Sequence, residues 1–227
     1  MNELFHTLVT YTLKFFDIIL HLDLHLNEWT LFFGPWIYLI LFLIVFAETG
    51  LVVTPFLPGD SLLFAAGAIA TLPQSSYSVH VMAVLLFAAG VLGDFVNYSI
   101  GKKLGPKIFK REDSFFLNKD HLIKTQEFYH KHGSKTIIIA RFAPIIRTFA
   151  PFVAGIGKMN YSRFVVYNAL GSFLWVYSFT YAGYFFGNIP SVKRNFHVII
   201  FALIGLSLLP ILIGWLQSRK LKSAKPH

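Results

Sequence analysis

Two long apolar stretches of this chain are interrupted by prolines where a membrane helix would have to be continuous. The first break is Thr54-Pro55-Phe56-Leu57-Pro58-Gly59-Asp60, with Glu48 just upstream and Leu62-Leu63-Phe64-Ala65-Ala66 just downstream. Proline removes a backbone donor and clashes with the preceding turn, and glycine permits a reversal. Broken backbone at membrane depth is tolerated only where protein or a water-filled cavity satisfies its polar groups. Ionisable residues at such a place mark a functional site by default. Here two carboxylates, Glu48 and Asp60, bracket the break.

The second break lies in Thr136-Ile-Ile-Ile-Ala-Arg141-Phe-Ala-Pro144-Ile-Ile-Arg147-Thr-Phe-Ala-Pro151-Phe-Val-Ala-Gly155. An arginine at the centre of a lipid-facing helix costs about 3 kcal/mol on insertion scales and more in simulations. Snorkelling to an interface would relieve that cost, because long side chains reach water near helix ends. The prolines favour a different solution, a second re-entrant hairpin holding both arginines near its turn.

Composition sets the class. Hydrophobic residues make up 55% of the 227 and charged residues only 14%, against about 25% in soluble domains, which makes this an integral membrane protein. Without cysteine there are no disulfides, thiolate metal sites or cysteine nucleophiles. The net charge of +9 is unevenly placed. Between Trp29 and Gly101 the charges are Glu48, Asp60 and Asp94; after Glu127 there is no Asp or Glu, while Arg141, Arg147, Lys158 and Arg163 lie in or beside apolar sequence. The first membrane half is acidic and the second basic. Most of the remaining basic residues gather in 102–135 and in the tail Arg219-Lys220-Leu221-Lys222, which the positive-inside rule assigns to the cytoplasm. No base-stacking pattern accompanies them, so nucleic acid is not an expected partner. Anionic lipid headgroups are.

Residues 1–29 read as an amphipathic interfacial helix or a tilted span, too polar for a plain one. His21 and His25 stand one turn apart, but with no third ligand they make a polar face rather than a metal site. The membrane domain covers 30–215. It opens with a re-entrant hairpin over 35–72, whose return arm is too short to span alone. A transmembrane helix over 81–100 carries Gly90, Gly93, Asp94, Asn97, Tyr98 and Gly101. Its glycines allow close helix packing, whereas Asp94 must face protein or water. A cytoplasmic connector over 102–135 precedes a second hairpin over 136–156, spans over 161–186 and 196–215, and a basic tail over 216–227. The predicted fold is an all-α polytopic membrane protein: an inverted repeat of re-entrant hairpin plus transmembrane helix, with a further C-terminal transmembrane helix. Paired interrupted segments in corresponding halves point to the substrate site of a transporter. The hairpin turns fall on Pro55, Pro58, Gly59, Pro144 and Pro151.

The set Glu48-Thr-Gly-Leu, Pro55-Phe-Leu-Pro58-Gly59-Asp60-Ser, Gly93-Asp94-Phe-Val-Asn-Tyr98-Ser-Ile-Gly101, Arg141-Phe-Ala-Pro144-Ile-Ile-Arg147-Thr and Pro151-Phe-Val-Ala-Gly155 resembles the DedA family. That family is also called the SNARE-associated or VTT-domain family. The resemblance runs from about residue 30 to 215 and keeps several motifs in order. It implies a multi-pass protein of the bacterial inner membrane with two facing re-entrant loops, which moves lipids between leaflets. Bacterial members are linked to returning undecaprenyl phosphate to the cytoplasmic leaflet and to proton-motive-force-dependent membrane homeostasis, and eukaryotic relatives look like phospholipid scramblases. Carried over by motif, the functional acids fall on Glu48 and Asp60 and the functional bases on Arg141 and Arg147. Family members often have Glu where Asp60 stands, so the charge is kept and the reach shortened.

The expected function is therefore lipid transport, with protons and polyprenyl phosphate or phospholipid as partners and no cofactor or metal. Glu48, Asp60 and Asp94 would carry the proton coupling, and Arg141 and Arg147 the lipid phosphate. Passive phospholipid scrambling and proton-coupled transport of a small solute are the alternatives. An enzyme is not expected: Gly-x-Ser-x-Gly, a Walker loop and His-Glu-x-x-His are all missing, and no histidine lies between His132 and His197. A homodimer is compatible with this reading.

Overall fold

The computed structural model describes residues 32–51, 59–71, 78–108 and 135–187, with positions 10, 133, 189, 190, 192 and 198. All the elements among them are helices. The helix expected over 1–29, the turn prolines Pro55 and Pro58, most of the connector, the span expected over 196–215 and the tail lie outside the described residues.

A short 3-10 turn at Gly34–Trp36 leads into α1, Ile37–Gly50. Its buried positions Ile37, Leu41, Val45, Glu48 and Thr49 recur every three or four residues, so Glu48 rides on the same inward stripe as the aliphatics. Helix α2, Gly59–Ile69, is buried at every position. That is why its sequence is apolar or small all round rather than striped. At 1.5 Å per residue the 14 residues of α1 and the 11 of α2 reach about 21 and 16 Å, short of the roughly 30 Å hydrocarbon layer.

Helix α3 runs from Val79 to Ile108. Among the described residues its Val79–Leu104 portion is the helix both long and apolar enough to cross a bilayer. It starts earlier and ends later than the 81–100 span expected, carrying Lys102 and Lys103 on beyond Gly101. A 30-residue helix is about 45 Å long, so it outruns the hydrocarbon layer without losing its backbone bonds.

The second broken segment comprises α4, Thr136–Ala140, a bend at Arg141–Ala143, and α5, Pro144–Ile156. Pro144 opens α5, where its fixed φ suits a first turn and its missing N–H costs nothing. Pro151 corrects an expectation: it lies inside α5 and makes no turn. Its ring removes the N–H that would have bonded the Arg147 carbonyl, yet the helix continues to Ile156 with Arg147, Thr148, Ala150, Pro151 and Ala154 turned inward. The connection to α6, Tyr161–Phe186, places Lys158 at a positive φ of 52° and caps the new helix with Asn160, whose side chain accepts from the Arg163 amide at 3.2 Å. Helix α6 has the length of a span, and its inward face carries Asn168, Ser172 and Thr180 as well as apolar groups.

The helices pack crosswise. Helix α1 lies along α3 and α4 against α6, while α2 lies along α6 and α5 along α3. Two of these crossings are backbone to backbone. A Cβ on Gly67 would run into the Thr180 carbonyl and one on Gly183 into the Phe64 carbonyl, where α2 meets α6. Likewise a Cβ on Gly101 would meet the Phe152 carbonyl and one on Gly155 the Tyr98 carbonyl, where α3 meets α5. Such close approach is the use small residues serve between membrane helices. One apolar cluster gathers Ile37, Leu41, Leu63, Met82, Leu86 and Trp175; a second gathers Tyr98, Ile137, Ala154 and Phe164. Between them lie the charged groups.

Candidate functional site

Both breaks deliver charged side chains to the interior. Glu48 comes from the last turn of α1 and Asp60 from the first turn of α2, the two sides of the first break. Arg141 follows α4 directly and Arg147 sits in the first turn of α5, the two sides of the second. All four are buried, the arginines at 2% and 4% exposure. Charges so far from water must be paired.

They pair as two separate centres. Arg147 binds two carboxylates, with Nη1 donating to Asp60 Oδ1 at 2.5 Å and Nη2 donating to Glu48 Oε1. The Gly59 amide also donates to Glu48 Oε1, at 3.3 Å. Gly59, expected as a turn residue, is the first residue of α2, and a Cβ there would collide with the Glu48 carboxylate. Its bareness is what lets that carboxylate lie against the start of the helix. The Trp175 indole N–H completes this centre, donating to Asp60 Oδ1 at 2.6 Å.

Arg141 forms the second centre with Asp94 of α3, its Nη2 lying 2.7 Å from Oδ2. Nη2 also donates to Asn168 Oδ1 at 2.8 Å, to Ser172 Oγ, and to the Gly90 carbonyl at 3.3 Å. Asn168 in turn donates to the Val91 carbonyl at 3.2 Å, which ties α6 to α3. A fixed amide, Asn97, braces the breaks: Nδ2 donates to the Thr49 carbonyl at 3.0 Å and to the Thr148 carbonyl at 2.8 Å. Those carbonyls belong to the end of α1 and the start of α5, so one side chain of α3 holds both broken segments.

The expected quartet of Glu48 and Asp60 with Arg141 and Arg147 is thus divided. Both acids of the first break go to Arg147, and Arg141 is taken by Asp94, a residue assigned to coupling without a partner. Sequence reasoning missed Asn168, Ser172 and Trp175. Their spacing of four and three residues places them on one helical face of α6, and a polar pair there within an apolar segment was the available signal.

Residues 57–185 match the VTT domain. The chain is 54% identical over 204 residues to the protein DedA of Escherichia coli, covering 90% of this chain and 93% of that one. The chain belongs to the DedA family. It is also 44% identical over 172 residues to a membrane protein of Mycobacterium tuberculosis, covering 76% of this chain and 75% of that one. The inner membrane protein YqjA of Escherichia coli is 34% identical over 154 residues, covering 68% of this chain and 69% of its own. This DedA-family chain is therefore a membrane protein, as its composition requires. No solved structure matches it.

Proposed function

We propose that this protein moves undecaprenyl phosphate, or a closely similar polyprenyl phosphate, between the leaflets of the bacterial inner membrane, driven by protons. In this reading the C-terminal tail is cytoplasmic. The observation that carries the proposal is Arg147, buried in a DedA-family membrane protein and held by two carboxylates that flank a broken helix. A guanidinium fork fits phosphate oxygens as well as carboxylate oxygens. Protonation of Glu48 or Asp60 weakens its hold on Arg147, which then exchanges a carboxylate for the lipid phosphate. Among the described residues the buried centres contain three carboxylates, Glu48, Asp60 and Asp94, against two arginines, so one bound proton balances them. Arg141 Nε and Nη1 and Arg147 Nε have no hydrogen-bond acceptor among the described residues, which leaves donors for a further oxyanion.

The crosswise packing supports an inverted repeat as the frame of this movement. Exchanging α1, α2 and α3 for α4, α5 and α6 interconverts the most extensive helix contacts: α1 on α3 becomes α4 on α6, α2 on α6 becomes α5 on α3, and α3 on α6 maps onto itself. Two such halves rocking about a fixed site give alternating access.

The test is reconstitution into liposomes, following transfer of labelled undecaprenyl phosphate with and without an imposed proton gradient. Gradient-dependent transfer lost on replacing Arg147 is the expected result. Gradient-independent transfer, or full activity with Glu48→Gln and Asp60→Asn together, would exclude the coupling. Equal transfer of ordinary phospholipids in both directions would make the protein a passive scramblase. Movement of a small solute with no lipid transfer would replace the lipid reading altogether.

A further inference from the structure

Trp175 touches both charge centres, whose hydrogen bonds and ion pairs otherwise run to different partners. Its ring centroid lies 4.8 Å from Arg147 Cζ and 5.4 Å from Arg141 Cζ. A guanidinium within about 6 Å of an indole centroid is attracted by the negative ring face. The same side chain donates its N–H to Asp60 Oδ1, the oxygen that also receives Arg147 Nη1. Trp175 is fully buried, so neither its ring nor its N–H has water as a substitute partner. It also belongs to the apolar cluster that holds Leu63, Met82 and Leu86. Any buried indole needs a partner for its N–H, but a tryptophan serving only to fill space would need no cations near its ring.

We propose that Trp175 is a positioning residue that couples the two arginine centres. Moving Arg147 away from Asp60 removes a donor from that oxygen and a cation from the ring, and the indole resettles against Arg141. The state of the first break is thereby registered at the second, although Asp60 and Asp94 lie on different helices and bind different arginines. Its role in transport rests on the phosphate exchange proposed above; the coupling itself does not.

The coupling is tested without any transport assay, by thermal unfolding of the purified full-length protein in lipid nanodiscs. Asp60→Asn and Asp94→Asn are made singly and together, with Trp175 present and in a Trp175→Phe background. Distant sites without a shared partner contribute additively. The two arginines also feel each other's charge directly, so the expected result is strongly non-additive shifts in unfolding temperature with Trp175 and a clearly smaller non-additivity with Trp175→Phe. Additive shifts in both backgrounds, or equal non-additivity in both, overturn the proposal. If Asp94→Asn does not fold, Ser172→Ala perturbs the same arginine more mildly and takes its place in the cycle.

A second readout uses protein in which Trp29, Trp36 and Trp215 are replaced by phenylalanine, so that emission reports Trp175 alone. Asp60→Asn and Asp94→Asn should each shift that emission; a shift with Asp60→Asn only assigns the indole to one centre and overturns the coupling. In liposomes, Trp175→Phe should slow transfer of labelled undecaprenyl phosphate at least tenfold. If the parent protein moves no polyprenyl phosphate while the unfolding cycle is non-additive, the transport reading falls and the coupling stands.

Discussion

Arg147 and Asp60 stand 87 positions apart in the chain and meet as a buried ion pair at 2.5 Å. Neither is made by the segment that carries the other. The contact exists because α2 and α5, the helices that follow the two breaks, are each sunk against the long helix of the opposite half. Its energetics follow from its burial. A buried pair contributes little over a well-packed apolar replacement, while removing one partner strands the other charge at a cost of about 3–5 kcal/mol.

Arg147→Met leaves Glu48 and Asp60 facing each other without their shared cation. The expected outcome is a loss of about 3–5 kcal/mol, seen as a sharp drop in unfolding temperature. Adding Glu48→Gln and Asp60→Asn to Arg147→Met removes the stranded charges. The triple variant should recover most of the stability and none of the transport, which separates the charge set as a device from the charge set as a brace.

The two backbone crossings set up a contrast among glycines. Gly67→Ala and Gly155→Ala push a methyl group into an opposing backbone carbonyl that cannot swing aside, and should cost about 1–3 kcal/mol. Gly90→Ala meets the Trp175 ring at 3.7 Å and Ser172 Oγ at 3.8 Å, ordinary contact distances. It should be neutral or stabilise slightly, since alanine exceeds glycine in a helix interior by up to about 1 kcal/mol. Thermal unfolding of the three variants side by side checks both signs.

Asn97→Leu keeps the approximate volume and takes two donated hydrogen bonds away from the Thr49 and Thr148 carbonyls. Each hydrogen bond lost costs about 0.5–1.5 kcal/mol. Because those carbonyls lie at the two breaks, hydrogen–deuterium exchange should rise near Thr49 and Thr148 before it rises in the middle of α3. Uniform exchange across all the helices would mean that Asn97 does not brace them.

Tyr98→Phe is the control. It loses one hydrogen bond, from the hydroxyl to the Met159 carbonyl at 2.7 Å, and keeps the stacked contact with Phe164 at 4.3 Å between centroids. A loss of about 0.5–1.5 kcal/mol with unchanged transport is expected. The side chain secures the turn into α6 and touches neither arginine centre.

Much of this arrangement is legible in the residues alone because it rests on local rules. The prolines and short apolar arms announce interrupted segments, and α2 declares its burial by having no polar face. Pro144, expected at the turn, opens α5 directly after the bend, where its fixed φ suits a first turn. Pro151 shows the limit: local chemistry argues for a break there, and packing of the inward face carries the helix through it. Helix α3 reaches past the 81–100 span, because the end of an apolar run marks where lipid stops, and a helix continues past that point wherever its backbone bonds continue.

The partition of charge, acidic in the first half and basic in the second, was enough to say that the halves must meet, since neither set can stay buried without the other. Only the tertiary structure decided who meets whom. Arg147 takes Glu48 and Asp60, Arg141 takes Asp94, and Trp175 stands against both. The reason is physical. Burial demands a partner of opposite sign and is indifferent to which one, so the pairing is chosen by how α1, α2 and α5 cross α3 and α6, over separations that no local periodicity records.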